Sequence, residues 1–215
     1  MSETLKPVVV AVDVDGVLRV PPLDRGAGEL SRAGVYEATV RVFREHYPVA
    51  FHDPAGDWSD AGAIDDIACY SAAGAAWLQR LVADPRVIVC WATTWQEYAN
   101  AYFAPVLGIP PLEVGVNTRP RLTESSASWK ARALARRFAG HPLVWVDDNP
   151  TRGGDRGLAR HRETADRPLT RVHQVRDPLT GISTEDIAAI DEWVAMAATE
   201  TGRDHLRRRW SRDVD

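Results

Sequence analysis

Four aspartates in two pairs carry most of the chemistry this chain can do. Asp13 and Asp15 follow the apolar run 7–12, and Asp147 and Asp148 follow the run 142–146. A third apolar run, 86–92, leads into Thr93 and Thr94. Carboxylates at the ends of buried strands crowd together at the rim of a sheet, partly out of water. They repel one another unless a cation sits among them. A donor set of oxygens with no His or Cys beside it suits a hard cation, and Mg²⁺ is the usual one where phosphate is the substrate. At a single strand such an Asp can equally turn the chain or cap the next helix. Polar residues at the ends of three strands of one sheet point to a site.

Lys130 is an independent signal. Of the 26 Lys and Arg residues only Lys6 and Lys130 are lysines. Ala127, Ala131, Leu134 and Phe138 make the apolar stripe of a helix, and Lys130 lies on that stripe. A buried ammonium needs a carboxylate or phosphate partner. The alternative is a lysine whose stem covers the edge of the face while its head reaches water. In the first case, Lys130→Met is expected to weaken catalysis with little loss of fold.

The elements that must position these groups are legible as runs and stripes. The three apolar runs are continuous rather than alternating, as parallel strands covered on both faces require. Weaker strand candidates are 112–116 and 170–175. Trp77, Leu78, Leu81 and Val82 share one helix face. Residues 96–104 read as a helix stopped by Pro105, and 126–139 as one ended by Gly140 and Pro142. Ser183 to Asp186 resembles a capping box opening a helix with Ile187, Ile190, Val194 and Ala197 on its apolar face. Alternating strands and helices predict an α/β domain with a parallel sheet, and ligands in such sheets bind beyond the carboxyl ends of the strands. Residues 19–71 break the rhythm and read as a β-rich flap or cap inserted after the first strand. Strands are expected there at 35–43 and around 49–51. Residues 203–215, with Arg207, Arg208 and Arg209, read as a polar, solvated C-terminal tail.

Composition narrows the class. A chain of 215 residues fits one domain with an insertion and can bury a core without disulfides or metal staples. Hydrophobic residues at 45% and charged residues at 26% exclude wholesale disorder. The formal net charge of −4 excludes a whole-molecule cationic surface, though not a local basic patch. Two cysteines, Cys69 and Cys90, are too few for a disulfide scaffold and read as reduced core thiols of a cytoplasmic protein. The N-terminus shows no basic-then-apolar signal peptide. No stretch reaches the roughly 18 apolar residues of a membrane span, so no membrane contact is expected. No obligate protein partner is evident.

These residues resemble the haloacid dehalogenase-like (HAD) superfamily. Asp-Val-Asp-Gly-Val-Leu at 13–18 is similar to its first motif, D-x-D-G-x-[LT]. The strand ending in Thr93 is similar to the second motif, Lys130 to the third, and Val-Trp-Val-Asp-Asp at 144–148 to the fourth. More narrowly, Trp91 to Trp95 with Tyr98-Ala99-Asn100, and Val175 to Gly181, look like a branch of that superfamily associated with RNA-repair proteins. The superfamily resemblance spans roughly residues 7–197, with 19–71 poorly matched. It implies a Rossmann-like three-layer sandwich with a central parallel sheet in the order 5-4-1-2-3, which sets Asp13 beside Asp147 and Asp148.

The resemblance also implies a function: a Mg²⁺-dependent phosphatase working through an aspartyl-phosphate. Asp13 would be the nucleophile and a metal ligand. The Asp15 side chain would be the general acid and base, and its backbone carbonyl a further ligand. Asp148 would be the direct ligand from the fourth strand, with Asp147 behind it or alternating with it. Thr93, or in its place Thr94, and the backbone N–H groups up to Gly16 would hold the phosphoryl oxygens. Lys130 would neutralise Asp13 and the phosphate. Trp95, just past a strand end, is the tryptophan expected to touch substrate, while Trp91 and Trp145 are expected in the core. The expected partner is a phosphorylated small molecule, a nucleotide or a nucleic-acid end. Two other classes remain: a catalytically weak Mg²⁺-binding regulatory module, and a phosphotransferase acting on a small metabolite.

Overall fold

The continuous apolar runs become the middle of a parallel sheet. The computed structural model describes residues 5–22, 34–48 and 62–212. Along the chain come β1 (Val8–Val12), β2 (Arg19–Val20), β3 (Val35–Phe43), β4 (Ala63–Ser71), α1 (Ala72–Val82), β5 (Val87–Trp91), α2 (Tyr98–Tyr102), α3 (Ala104–Leu107) and β6 (Glu113–Val114). Then follow α4 (Ser126–Arg137), β7 (Leu143–Asp147), α5 (Gly154–Ala159), β8 (Thr170–Gln174), α6 (Thr184–Ala197) and α7 (Glu200–Arg212). Five strands form an all-parallel Rossmann-like sheet in the order β6-β5-β1-β7-β8.

Every residue of β1 is buried, because both faces of the sheet are covered. Val8, Val10 and Val12 pack into a cluster with Trp77, Leu78 and Leu81 of α1 and Ile190 and Val194 of α6. Val9 and Ala11 point the other way, into a cluster with Trp129, Ala131 and Leu134 of α4. This two-sided demand explains the unbroken apolar run, since successive strand residues face opposite layers. Each fully buried valine contributes about 1.5–3 kcal/mol relative to leaving it in water.

Register fixes the site. Val12 is level with Trp91 of β5 and Val146 of β7, so the three chains leave the sheet at one edge. The Asp13 N–H donates to the Val146 carbonyl at 2.9 Å, which seats Asp13 next to Asp147. On the far side of that edge, α4 starts from Ser125, whose side chain accepts the Ser128 N–H at 3.3 Å. The capping box of α6 forms as expected between Ser183 and Asp186.

The insertion folds, where described, into a three-stranded antiparallel sheet in the order β2-β4-β3. β3 alternates: Val40 and Val42 are buried, while Glu37, Thr39 and Arg41 are exposed. β4 runs directly into α1, with Ser71 ending the strand and capping the helix through the Gly74 N–H at 3.0 Å. The strand expected around 49–51 lies outside the described residues.

Two expectations are corrected. Pro105 does not stop a helix but sits in the first turn of α3, where its missing N–H costs nothing; 96–104 therefore breaks into two short helices. Residues 203–212 belong to α7 and are no loose tail. Arg203 and Leu206 are buried, and the Arg203 guanidinium donates to the Ala197 carbonyl at 2.7 Å and to the Lys6 carbonyl. Those bonds hold a buried cation with carbonyls instead of carboxylates, which leaves the apolar stripe too thin to read. Arg207, Arg208 and Arg209 are exposed on the outer face of that helix.

Candidate active site

Lys130 stands between two buried carboxylates. Its Nζ lies 2.6 Å from Asp13 Oδ2 and 2.9 Å from Asp147 Oδ2. Lys130 and Asp13 are each 4% exposed and Asp147 is 2% exposed, so the stripe position on α4 does carry a buried ammonium. The remaining oxygens are also engaged. Asp13 Oδ1 accepts the Val14 N–H at 2.8 Å, and Asp147 Oδ1 accepts the Asn149 N–H at 2.8 Å. Burial opposes charge on the lysine, but Asp13 and Asp147 override it and raise its pKa above the ordinary value. Burial pushes the Asp13 carboxyl well above its usual range; Lys130 opposes this, while Asp147 and Asp15 add to it.

Asp148 completes the cluster. Carboxylate oxygens of Asp13, Asp147 and Asp148 lie within 4.8 Å of one another. Three carboxylates against one ammonium leave two negative charges in a partly dry space, and a divalent cation balances that count. The donor set is all oxygen, with no nitrogen or sulfur, and so fits Mg²⁺ by chemistry as well as by charge. Burial and then Asp147 raise the Asp148 pKa, against the lowering effect of Lys130.

Gly16 makes room for Asp148. Its φ is +71°, and a Cβ there would stand 2.6 Å from Asp148 Cγ. Gly16→Ala should therefore cost about 1–2 kcal/mol of backbone strain and push Asp148 out of place. The expected result is a lower melting temperature together with a weaker Mg²⁺-induced rise in it. An alanine variant with wild-type melting and an undiminished Mg²⁺ response would refute this role.

Asp15 sits apart from that cluster, clamped by two donors. Arg19 contacts Asp15 Oδ1 at 2.5 Å, and the Trp95 indole N–H donates to Asp15 Oδ2 at 2.8 Å. Arg19 also reaches Asp66 Oδ2 of β4 at 2.6 Å. The two acids raise the arginine's pKa above its ordinary value against the opposing effect of burial. The expectation that Trp95 touches substrate is corrected by its packing. It is 2% exposed, edge-on to Tyr47, Tyr102 and Phe103, and its polar contact goes to Asp15. Trp91 and Trp145 are core, and the Trp91 indole donates at 2.7 Å to Asn100, whose amide brackets the Leu112 backbone.

A cavity of about 230 Å³ opens over these groups, lined by Asp13, Asp15, Thr94, Ser126, Lys130, Asp147, Asp148 and Asn149. Of the two threonines, Thr94 lines this cavity. Thr93 is wholly buried, and its hydroxyl oxygen is 3.4 Å from the Trp95 N–H. Ser126, Asn149 and Arg19 were absent from the sequence expectation. Ser126 precedes Lys130 by four residues on one helix and so shares its face, a spacing readable in the sequence; Arg19 follows Asp15 through a turn, where that spacing carries no such signal. Both cysteines are free and buried, and burial raises the Cys90 pKa. Among the described residues no helix is long and apolar enough to cross a membrane. Comparison with known protein families, curated proteins and solved structures finds no match to this chain.

Proposed function

We propose that the chain is a Mg²⁺-dependent phosphoric monoester hydrolase of the HAD-like superfamily, working through an aspartyl-phosphate. One observation carries this reading: a strand-end carboxylate, Asp13, held by a buried ammonium in a cavity that also contains Asp15 and two further strand-end acids. The order of the parallel sheet and the small antiparallel sheet after β1 support the superfamily assignment, the latter as a flap. The loop 176–182 overlaps the segment Val175 to Gly181 of the narrower resemblance and packs against the first motif. Gly181 there has φ +71°, and the Ile182 N–H donates to the Val17 carbonyl at 2.9 Å, which ties this loop to the first motif.

In the proposed reaction an Asp13 oxygen attacks phosphorus, and the bond to the leaving oxygen breaks. Asp15 acts as the general acid that gives that oxygen a proton, and then as the general base that takes one back from the incoming water as the Asp13–phosphorus bond breaks. One residue serves both steps because departure and hydrolysis occur on the same side of phosphorus. Lys130 offsets the charge of Asp13 and the phosphoryl group. Thr94 and Ser126, facing the cavity, offer hydroxyl donors to the phosphoryl oxygens. Mg²⁺, held by Asp13 and Asp148 with Asp147 behind them, would supply the positive charge that lets a carboxylate approach a phosphate dianion. Of the two acids that end β7, Asp148 is the better direct ligand, since it is partly exposed while Asp147 is buried.

Phosphate release from nucleotides, sugar phosphates and 3′- or 5′-phosphorylated oligonucleotides tests the reading. Release that requires Mg²⁺ and stops with EDTA is expected for at least one class; none from any class would sink it. Trp95→Phe tests the clamp on Asp15. It keeps the ring packing and removes the indole donor, so kcat should fall about tenfold, roughly 1.4 kcal/mol in barrier, with KM little changed. An unaltered kcat would leave Trp95 a packing residue only.

A further inference from the structure

A second hollow adjoins the acidic cavity and has the opposite character. It measures about 350 Å³ and shares Ser126 and Asn149 with the cavity that holds Asp13. The remaining wall includes Arg152, Arg160 and His161, and among the described residues no carboxylate lines it. Arg152 and Arg160 are exposed, and neither has a carboxylate partner among the described residues. Most other arginines near the site are committed: Arg19 to Asp15 and Asp66, and Arg132 to Glu124.

Ser126 and Asn149 line both hollows and so set them side by side. Ser126 opens α4 one turn before Lys130, and the Asn149 N–H is tied to Asp147 at 2.8 Å. Together the hollows, about 230 and 350 Å³, reach the usual range of ligand cavities, roughly 300–1,000 Å³. The acidic end suits a cation and the phosphoryl group it neutralises. The arginine end suits an anion outright, since guanidinium groups match phosphate oxygens in geometry as well as charge. Partial burial lowers the His161 pKa, and Arg160, Arg132 and Arg121 act in the same direction against Glu124, which marks a net positive field there.

We propose that the Arg152–Arg160 hollow is a subsite for a second phosphate group, so that the substrate is a phosphate monoester carrying another phosphate on the same molecule. The inference rests on the phosphatase reading only for which end reacts. It predicts that a second phosphate strengthens binding about tenfold or more, the effect of one charge-assisted hydrogen bond.

Calorimetric titration of full-length Asp13→Asn protein in Mg²⁺ provides the test, with adenosine 3′,5′-bisphosphate against the 3′- and 5′-monophosphates. The nucleophile substitution keeps the ligands intact during the measurement. The bisphosphate should bind at least tenfold more tightly than either monophosphate. In the Arg152→Gln/Arg160→Gln background that ratio should fall below about three. Both arginines are exposed, so a melting curve suffices to confirm the fold of the variant. A ratio near one before substitution, or a ratio that survives it, overturns the subsite. Failure of the phosphatase reading looks different: wild-type protein then releases no phosphate from any monoester, while the binding ratio and its loss can still be measured. If neither monophosphates nor bisphosphate bind at all, the subsite falls as well.

Discussion

Asp13→Asn will lower phosphate release at least a thousandfold, about 4 kcal/mol in barrier, while leaving the melting temperature within a few degrees of wild type. The two halves of this result have separate causes. An amide has nearly the carboxylate's shape but is a poor nucleophile, so the covalent step has no donor of electrons. The fold survives because Lys130 keeps Asp147 at 2.9 Å and because the substitution removes one of the crowded negative charges. Activity above about a tenth of wild type, a barrier change under ~1.4 kcal/mol, would exclude Asp13 as nucleophile. Measurement is by phosphate release in Mg²⁺ alongside a thermal melt.

Lys130→Met will do the reverse on stability. The sequence alone led us to expect weaker catalysis with little loss of fold. The structure changes that expectation, because among the described residues the ammonium is the one ion-pair partner of two carboxylates that are almost wholly buried. Removing one member of such a cluster costs about 3–5 kcal/mol, since the charges left behind have no counter-charge. Without Lys130, which holds it down, the Asp13 carboxyl that burial already raises binds its proton still more tightly in the folded chain than in the unfolded one. Stability is then greatest at low pH and is lost as pH rises through the folded value. The deficit relative to wild type should therefore be larger at about pH 8 than at about pH 5. Mg²⁺ should recover part of it, up to about 2.7 kcal/mol at a hundredfold excess over its dissociation constant. A variant that melts with wild type in EDTA at both pH values would show that Lys130 carries no structural charge.

The legible parts of this molecule were those in which one residue property serves one demand. β1 reads plainly because both of its faces are covered, and the acids that end it read plainly because they interrupt an apolar run. Lys130 stood out because a lysine on a helix stripe conflicts with its neighbours. The clamp on Asp15 was not legible in full. It joins the side chains of residues 15, 19, 66 and 95, which come from four separate segments, and the pairing of β2 with β4 has no mark in the sequence. β4 was missed because Asp65 and Asp66 stand in its first half, where the strand is only partly buried, and conceal the buried run 68–71 that follows. Trp95 was placed correctly next to the site but given the wrong task. Position after a strand end does not say whether a ring faces the cavity or the core. α7 was misread because carbonyls, not acids, receive its buried arginine.

The bridge from Asp15 through Arg19 to Asp66 makes the appended sheet and the strand-end rim one mechanical unit. Trimming the chain between β1 and α1 to a short linker would therefore not leave the rim as it stands. It would strip Asp15 of its guanidinium and remove the strand that feeds α1, so the proposed proton donor would lose its bearings even with the parallel strands in place.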